Sequence, residues 1–373
     1  VSAPRRDSLA FTVVVTVLVV LCAALMLLVI ALSGAPSTLL VATVLAALPV
    51  GPVVACYLWL DRYEPEPKRL LASGLLWGAF VATAAAIVVQ GVGGLAIGLS
   101  EEASLAVAAP VTEEASKGVF LLLLLWWRRA ELDGLLDGIV YAGMVGVGFA
   151  FTENILYLAA AYNGTDGLGP GGTEALTATF VVRCLFSPFA HPFFTTFIGI
   201  GVGIAVASRS GAIRVLAPLA GYALAVVAHG LWNGSTVYGF GSFALVYVVL
   251  MAPALVGVGC LAVWARRSER RMLTAALSDA AARGLVPATD IGWVTDLRAR
   301  RQARAHARSM GGPAAERAMR DYQQAAIELG FLHHRYLRGT PPPDFAARGQ
   351  EYVARIGAVR PSIAFPGQVV PTR

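Results

Sequence analysis

Charge is scarce in this chain. Only 14% of its 373 residues are Asp, Glu, Lys or Arg, 57% are hydrophobic, and mean hydropathy is positive. That balance excludes an ordinary soluble domain. Cysteine is scarce too. Cys22, Cys56, Cys184 and Cys260 each lie in an apolar run, with no C-x-x-C spacing. They read as small core residues, not as disulfide partners or metal ligands. No H-E-x-x-H is present, and no serine or cysteine stands in a nucleophile-like setting. The net charge of +6 first suggests a nucleic-acid partner. The placement of the basic residues argues for membrane topology instead.

Eight apolar runs come near the roughly 20 residues that a helix needs to cross a bilayer. They fall at about 9–32, 37–60, 70–98, 103–127, 135–160, 176–207, 213–235 and 242–265. Lys and Arg occur before the first run and after the second, fourth, sixth and eighth. The four intervening loops contain neither. By the positive-inside rule both termini are cytoplasmic. The first run is about twice as long as a signal-peptide core, so a retained helix is expected. Val at position 1 is what a bacterial alternative start codon, translated literally, would give. The expected fold is all-α and polytopic, with about eight transmembrane helices. Residues 1–36 form an N-terminal helix and connector, 37–265 a seven-helix core, and 266–373 a cytoplasmic, helical, arginine-rich region.

The fourth run is the anomaly. In Val111–Trp127, Glu113, Glu114 and Lys117 interrupt an otherwise apolar sequence. A charge at mid-bilayer costs about 2.5–3.5 kcal/mol on insertion scales, so such residues mark functional sites or internal ion pairs. Helical spacing lets Lys117 meet either glutamate, but one lysine cannot neutralise two. The similar letters at Glu101–Ser104 follow a polar Ser100 and read as an exposed connector.

Three other runs carry polar groups. Glu153 and Asn154 lie in the fifth run, Arg183 and His191 in the sixth, and His229 and Asn233 in the seventh. Pro188 and Pro192 break the sixth run, and such breaks are tolerated where backbone lines a cavity. Counted from the loops at about 1.5 Å per residue, Glu113, Glu153, His191 and His229 reach similar levels, from the outer half to the middle. Glutamates facing histidines at one depth can activate water, with a carboxylate as general base. A histidine or asparagine could then donate to a developing oxyanion. The reading is hydrolysis inside the membrane. Glutamates and histidines are also zinc ligands, so a divalent metal bound by Glu113, Glu153, His191 and His229 is the second reading. Proton-coupled transport, or binding without catalysis, is the rival from another class. Transporters often show two corresponding halves, and no internal repeat is visible here.

The second basic connector, Asp61-Arg62-Tyr63-Glu64-Pro65-Glu66-Pro67, reads as an extended, proline-stiffened turn. The glycine-rich loop 163–172 reads as a flexible connection. Beyond Arg271, helices are expected near 268–283, 290–309, 314–337 and 344–357, with Gly284 as a stop and Thr289-Asp290 as a start. Met319, Tyr322, Ala326, Leu329 and Tyr336 recur at helical spacing. Arg298, Arg301, Arg304 and Arg308 form a basic face suited to anionic lipid, so the lipid bilayer and not nucleic acid is the expected partner. The last dozen residues, with three prolines, are expected to be disordered.

Taken together, these motifs resemble the PrsW family of intramembrane proteases, related to the CAAX-protease and bacteriocin-processing (Abi) group. The matching residues are the Asp61–Pro67 connector, Glu113-Glu114 with Lys117, Phe149 four before Glu153-Asn154, His191 with Thr195, and His229 four before Asn233. The likeness covers about 40–265. Lys117 stands where the CAAX-type group has an arginine one residue later, which favours PrsW. The resemblance implies cleavage of a membrane-anchored protein substrate near the outer face, an anti-sigma factor in envelope-stress signalling being the family theme. It implies Glu113 and Glu114 as the water-activating pair, with Glu153, His191 and His229 completing the catalytic set. Lys117, Asn154, Arg183 and Asn233 are supporting residues, Asn233 as an oxyanion donor. Asp61, Arg62, Glu64, Pro65, Glu66 and Pro67 become a signature loop. The wider group is described both as metalloproteases and as metal-free glutamate proteases, and the resemblance leaves both open.

Overall fold

The computed structural model describes residues 6–63, 65–165 and 170–367. Glu64 of the connector, part of the 163–172 loop and the last six residues lie outside that description. Among the described residues there are helices and turns and no strands. α1 (Arg6–Leu32), α2 (Pro36–Ala47) and α3 (Val50–Leu60) come first. Pro36 opens α2, where its missing N–H costs nothing. α4 (Lys68–Leu76) passes through a π-helical turn, Trp77–Ala82, into α5 (Thr83–Ile97). α6 (Glu101–Ala103) and a second π turn lead into α7 (Ala109–Trp127). α8 (Leu135–Asn163) ends at Gly164, whose φ of 67° closes the helix. α9 (Thr173–Phe180) runs into a third π turn, Val181–Phe186. After a break come α10 (Ala190–Ala207) and α11 (Gly211–Val237). α12 (Phe240–Val246), a fourth π turn and α13 (Ala252–Ala282) complete the apolar part. α14 (Ile291–Thr295), α15 (Leu297–Leu337) and α16 (Phe345–Val359) form the tail.

Seven helical stretches are long and apolar enough to cross a membrane: Leu9–Leu32, Pro36–Leu60, Lys68–Val92, Leu135–Asn163, Thr173–Ala207, Gly211–Val237 and Phe240–Ala282. The remaining expected span, 103–127, is helical as well. Its three ionisable groups keep it out of that set. The described residues divide into two compact units, one from 1–61 and 66–262, the other from 62–65 and 263–373.

In the first unit α8 is the central helix, packed by α10, α4, α2 and α3. Its sequence is apolar nearly all round, as a helix enclosed on every side must be. Close approach depends on glycine. A Cβ on Gly199 would stand 2.1 Å from the Gly138 carbonyl oxygen, and one on Gly138 as close to that of Gly199. Small residues let the two backbones touch where lipid supplies no hydrophobic drive between helices. α10, and with it His191, is thereby held against α8.

In the second unit, Leu273 and Leu277 at the end of α13 pack with Tyr322, Phe331 and Phe365 in one core. The helical stripe of Met319, Tyr322, Ala326 and Leu329 is buried there, while Tyr336 is exposed. Gly284 stops α13 with φ 76°. Asp296 caps α15, accepting from the Arg298 and Ala299 amides at 2.9 Å. Gly312-Pro313 kinks that helix near the expected boundary. Two expectations are corrected. Phe365 is buried and stacks on Trp293, so order extends into the last dozen residues because an aromatic anchor fills the core. The basic face is also divided. Arg298, Arg301 and Arg308 are exposed, Arg308 pairing with Glu316 at 3.2 Å, but the half-buried Arg304 donates to Gln323 at 2.7 Å. The buried Arg300 donates to the carbonyls of Arg62, at 3.4 Å, and Tyr63, at 3.2 Å, holding that part of the connector.

Candidate active site

α7 delivers Glu113, Glu114 and Lys117, all buried. Positions three and four apart share a face, so Lys117 reaches back to both glutamates. Its Nζ lies 2.7 Å from Glu114 Oε1 and 3.6 Å from Glu113 Oε2. It also lies 3.2 Å from His191 Nδ1 and 3.7 Å above the centre of the Phe149 ring. Glu114 is fully enclosed and both its oxygens are engaged. Oε1 meets Lys117 and, at 2.9 Å, His229 Nδ1, and Oε2 accepts from Thr195 at 3.0 Å. Glu113 differs. Its Oε1 accepts from Gln90 at 3.3 Å, while its buried Oε2 has no hydrogen-bond partner and faces His229 Nε2 at 3.8 Å. A buried acceptor left open is costly unless water, a proton or an ion serves it.

The histidines come from the helices beyond. The sixth apolar run is interrupted at Ser187–Phe189, and α10 restarts so that His191 stands in its first turn. His191 Nε2 lies 2.6 Å from Glu153 Oε2 of α8. A lysine ammonium only donates, so His191 Nδ1 accepts from it and Nε2 carries the proton toward Glu153. Arg183, from the π turn before the break, pairs with Glu153 and donates to Asn154 at 2.8 Å. His229 of α11 stacks on Phe194 with ring centres 4.7 Å apart. A continuous chain results: Arg183, Glu153, His191, Lys117, Glu114, His229, Glu113. With neutral histidines, its three carboxylates face two cations and leave one negative charge. That excess, beside the open Glu113 oxygen, can be met by a proton or a bound cation.

The supporting residues separate. Asn154 is buried and serves Arg183, so it acts through Glu153 and not on the central cluster. Asn233 donates to the Leu105 carbonyl at 3.2 Å, which commits one of its two amide protons. Asp61 and Glu66 of the signature loop make their own contacts. Asp61 accepts from the Glu66 amide at 2.9 Å, and Glu66 accepts from Tyr141 at 2.6 Å. Burial pushes Asp61 up to about 7, and burial together with Asp137 raises Glu66 well above its ordinary range. Arg62, Pro65 and Pro67 are exposed. Two residues beside the glutamates received no site role from sequence. Thr195 was visible only as a companion of His191. Gln90 is the one strongly polar side chain in the apolar sequence of α5, and that isolation was the available signal.

Glu113, His191 and His229 each offer a donor atom, all within 4.8 Å of one another, as a metal ion would require. Glu153, the fourth ligand expected if a metal is present, is outside that group, its carboxylate engaged by Arg183 and His191. A cavity of about 70 Å³ opens beside His191, lined by Asn154, Arg183, Trp232 and Thr236 among others. That volume is large enough to admit water.

An all-helical chain whose apolar spans converge on buried glutamates, histidines and their counter-ions is a polytopic membrane protein with a polar site inside its spans. Residues 66–258, just over half the chain, match the family described as PrsW family intramembrane metalloprotease, and the chain belongs to that family. It is 29% identical over 154 residues to "Protease PrsW" of Geobacillus kaustophilus, covering 41% of this chain and 62% of the relative. It is 29% identical over 132 residues to "Protease PrsW" of Oceanobacillus iheyensis, covering 35% and 54%. The chain thus spans less than two thirds of the length of these curated relatives. No solved structure matches it.

Proposed function

We propose that this chain is an intramembrane endopeptidase that hydrolyses a peptide bond of a membrane-anchored substrate near the extracytoplasmic face. Both its termini are cytoplasmic in this reading. The observation that carries it is the buried Glu113 Oε2 without a hydrogen-bond partner, facing His229, on a residue whose donor atom lies within 4.8 Å of one on His191, which lines a cavity. Glu113 is the carboxylate with capacity to take a proton from water. Glu114 is saturated, and its part is to orient His229 and hold Lys117. The proton that Glu113 takes from water is the one it can return to the leaving amine, while Arg183 and His191 fix Glu153 beside the cluster. An anti-sigma factor in envelope-stress signalling is the substrate the family theme suggests.

A metal is the second reading, favoured by the donor set. One carboxylate and two imidazoles are the ligands of His₂Glu catalytic zinc sites. Glu113, His191 and His229 would hold a divalent ion such as zinc, and Glu114 on His229 Nδ1 is the usual carboxylate behind a ligating imidazole. Such an ion would supply Lewis acidity toward water and the scissile carbonyl. Lys117 works against it. Its ammonium occupies His191 Nδ1 at 3.2 Å while Glu153 occupies Nε2, so one of them must let go before His191 can ligate.

The test is cleavage in proteoliposomes of a panel of single-span substrates, with and without chelator. Cleavage unaffected by chelator but absent from Glu113→Gln supports the carboxylate mechanism. Loss on chelation, restored by zinc, moves the reaction to the metal. Proton-driven uptake with no cleavage would replace the proposal with transport.

A further inference from the structure

The tail unit contains a cavity with a strong chemical bias. It measures about 700 Å³ and is lined by Arg266, Arg267, Arg270 and Arg271 of α13, together with Tyr63 and Thr274. No carboxylate is among its lining residues. Arg270 pairs with Asp296 at 2.9 Å, and Arg266 stands over the Tyr63 ring at 5.5 Å. Arg267 and Arg271 are exposed. On one helix these four positions fall within an arc of roughly 140° over two turns. Like charges four apart destabilise a helix, so an anion seated among them relieves repulsion as well as accepting hydrogen bonds. Guanidinium forks match the oxygens of a phosphate group.

Position selects the source of that phosphate. The arginines lie within the helical stretch Phe240–Ala282, which is long and apolar enough to cross a membrane, and directly follow its apolar part. Side chains there stand at headgroup depth, where anionic lipid accumulates positive partners. The cavity is also much larger than a single phosphate ion needs. We propose that it binds the phosphodiester headgroup of an anionic membrane lipid. The site is independent of the hydrolytic cluster and of the reading given to it.

The experiment uses the full-length protein in detergent with equal amounts of phosphatidylglycerol and phosphatidylcholine, with retained lipid counted by native mass spectrometry. Phosphatidylglycerol is expected to be retained preferentially. Arg267→Ala/Arg271→Ala is expected to weaken that retention by roughly tenfold or more. Arg298→Ala/Arg301→Ala removes the same charge from exposed positions outside the cavity and is expected to leave it unchanged. Melting curves verify that both variants are folded. Equal retention of the two lipids, or equal loss in the two variants, would reduce the arginines to a general charge effect and overturn the proposal. If inorganic phosphate without anionic lipid stabilises the native protein, but not the Arg267/Arg271 variant, the cavity belongs to free phosphate and the lipid assignment falls.

Discussion

Lys117→Met tests the charge arrangement most sharply. The native ammonium is fully buried, 2.7 Å from Glu114, 3.6 Å from Glu113 and 3.2 Å from His191. Methionine keeps an apolar stem against Phe149 and removes only the charge. Glu114 is then left enclosed with His229 and Thr195, and three carboxylates answer to Arg183 alone. Breaking a buried pair by deleting one partner costs about 3–5 kcal/mol. For a protein of this size that corresponds to a fall in Tm of about 4–6 °C. The assay is thermal melting of the detergent-solubilised protein, repeated in a Glu114→Gln background. Removing the glutamate charge first should make loss of the lysine cheaper by roughly 1–3 kcal/mol. Unchanged melting of Lys117→Met, or the same loss in both backgrounds, would refute the pairing as the reason for a charge at this depth.

Three further outcomes are expected. Gly199→Leu places a side chain where a Cβ already meets the Gly138 carbonyl at 2.1 Å. It should separate α10 from α8, lowering Tm and abolishing cleavage, whereas Gly211→Leu, with open space around it, should do neither. Gln90→Leu frees Glu113 Oε1, and we expect cleavage to fall by roughly tenfold through kcat with little change in KM; a KM effect alone would mean that Gln90 serves substrate binding. Asp61 titrates near 7 in the folded protein and near 3.9 unfolded, so its contribution is fully present below about pH 4 and is lost as pH rises to about 7. Glu66 shifts in the same direction. Melting measured from pH 4 to 7.5 should therefore decline more steeply for the native chain than for Asp61→Asn, and parallel declines would show that Asp61 is not the source.

The spans were legible because bilayer thickness fixes helix length and because hydropathy needs no tertiary information. Glu113, Glu114 and Lys117 were legible for the complementary reason, since a charge in an apolar run has no inexpensive explanation. Pro188 and Pro192 marked the break that sets His191 at the start of a helix. What could not be read was rotation. Adjacent glutamates point about 100° apart on a helix, and sequence does not say which one faces His229 through a saturated contact and which keeps an oxygen open. The π turns deepen that difficulty, because each alters the helical register without any mark in the hydropathy pattern. Nor does spacing reveal that Asn233 turns toward Leu105, or that Asn154 is spent on Arg183. Those partners belong to other helical segments, brought in by tertiary packing that the sequence does not mark.

The most direct measurement pairs cleavage with melting for Glu113→Gln. Glu113 Oε2 makes no hydrogen bond, and glutamine preserves shape while removing the charge that exceeds the available cations. The account predicts a protein that melts at least as high as the native one and cleaves no single-span substrate. Retained cleavage by a well-folded Glu113→Gln would contradict it.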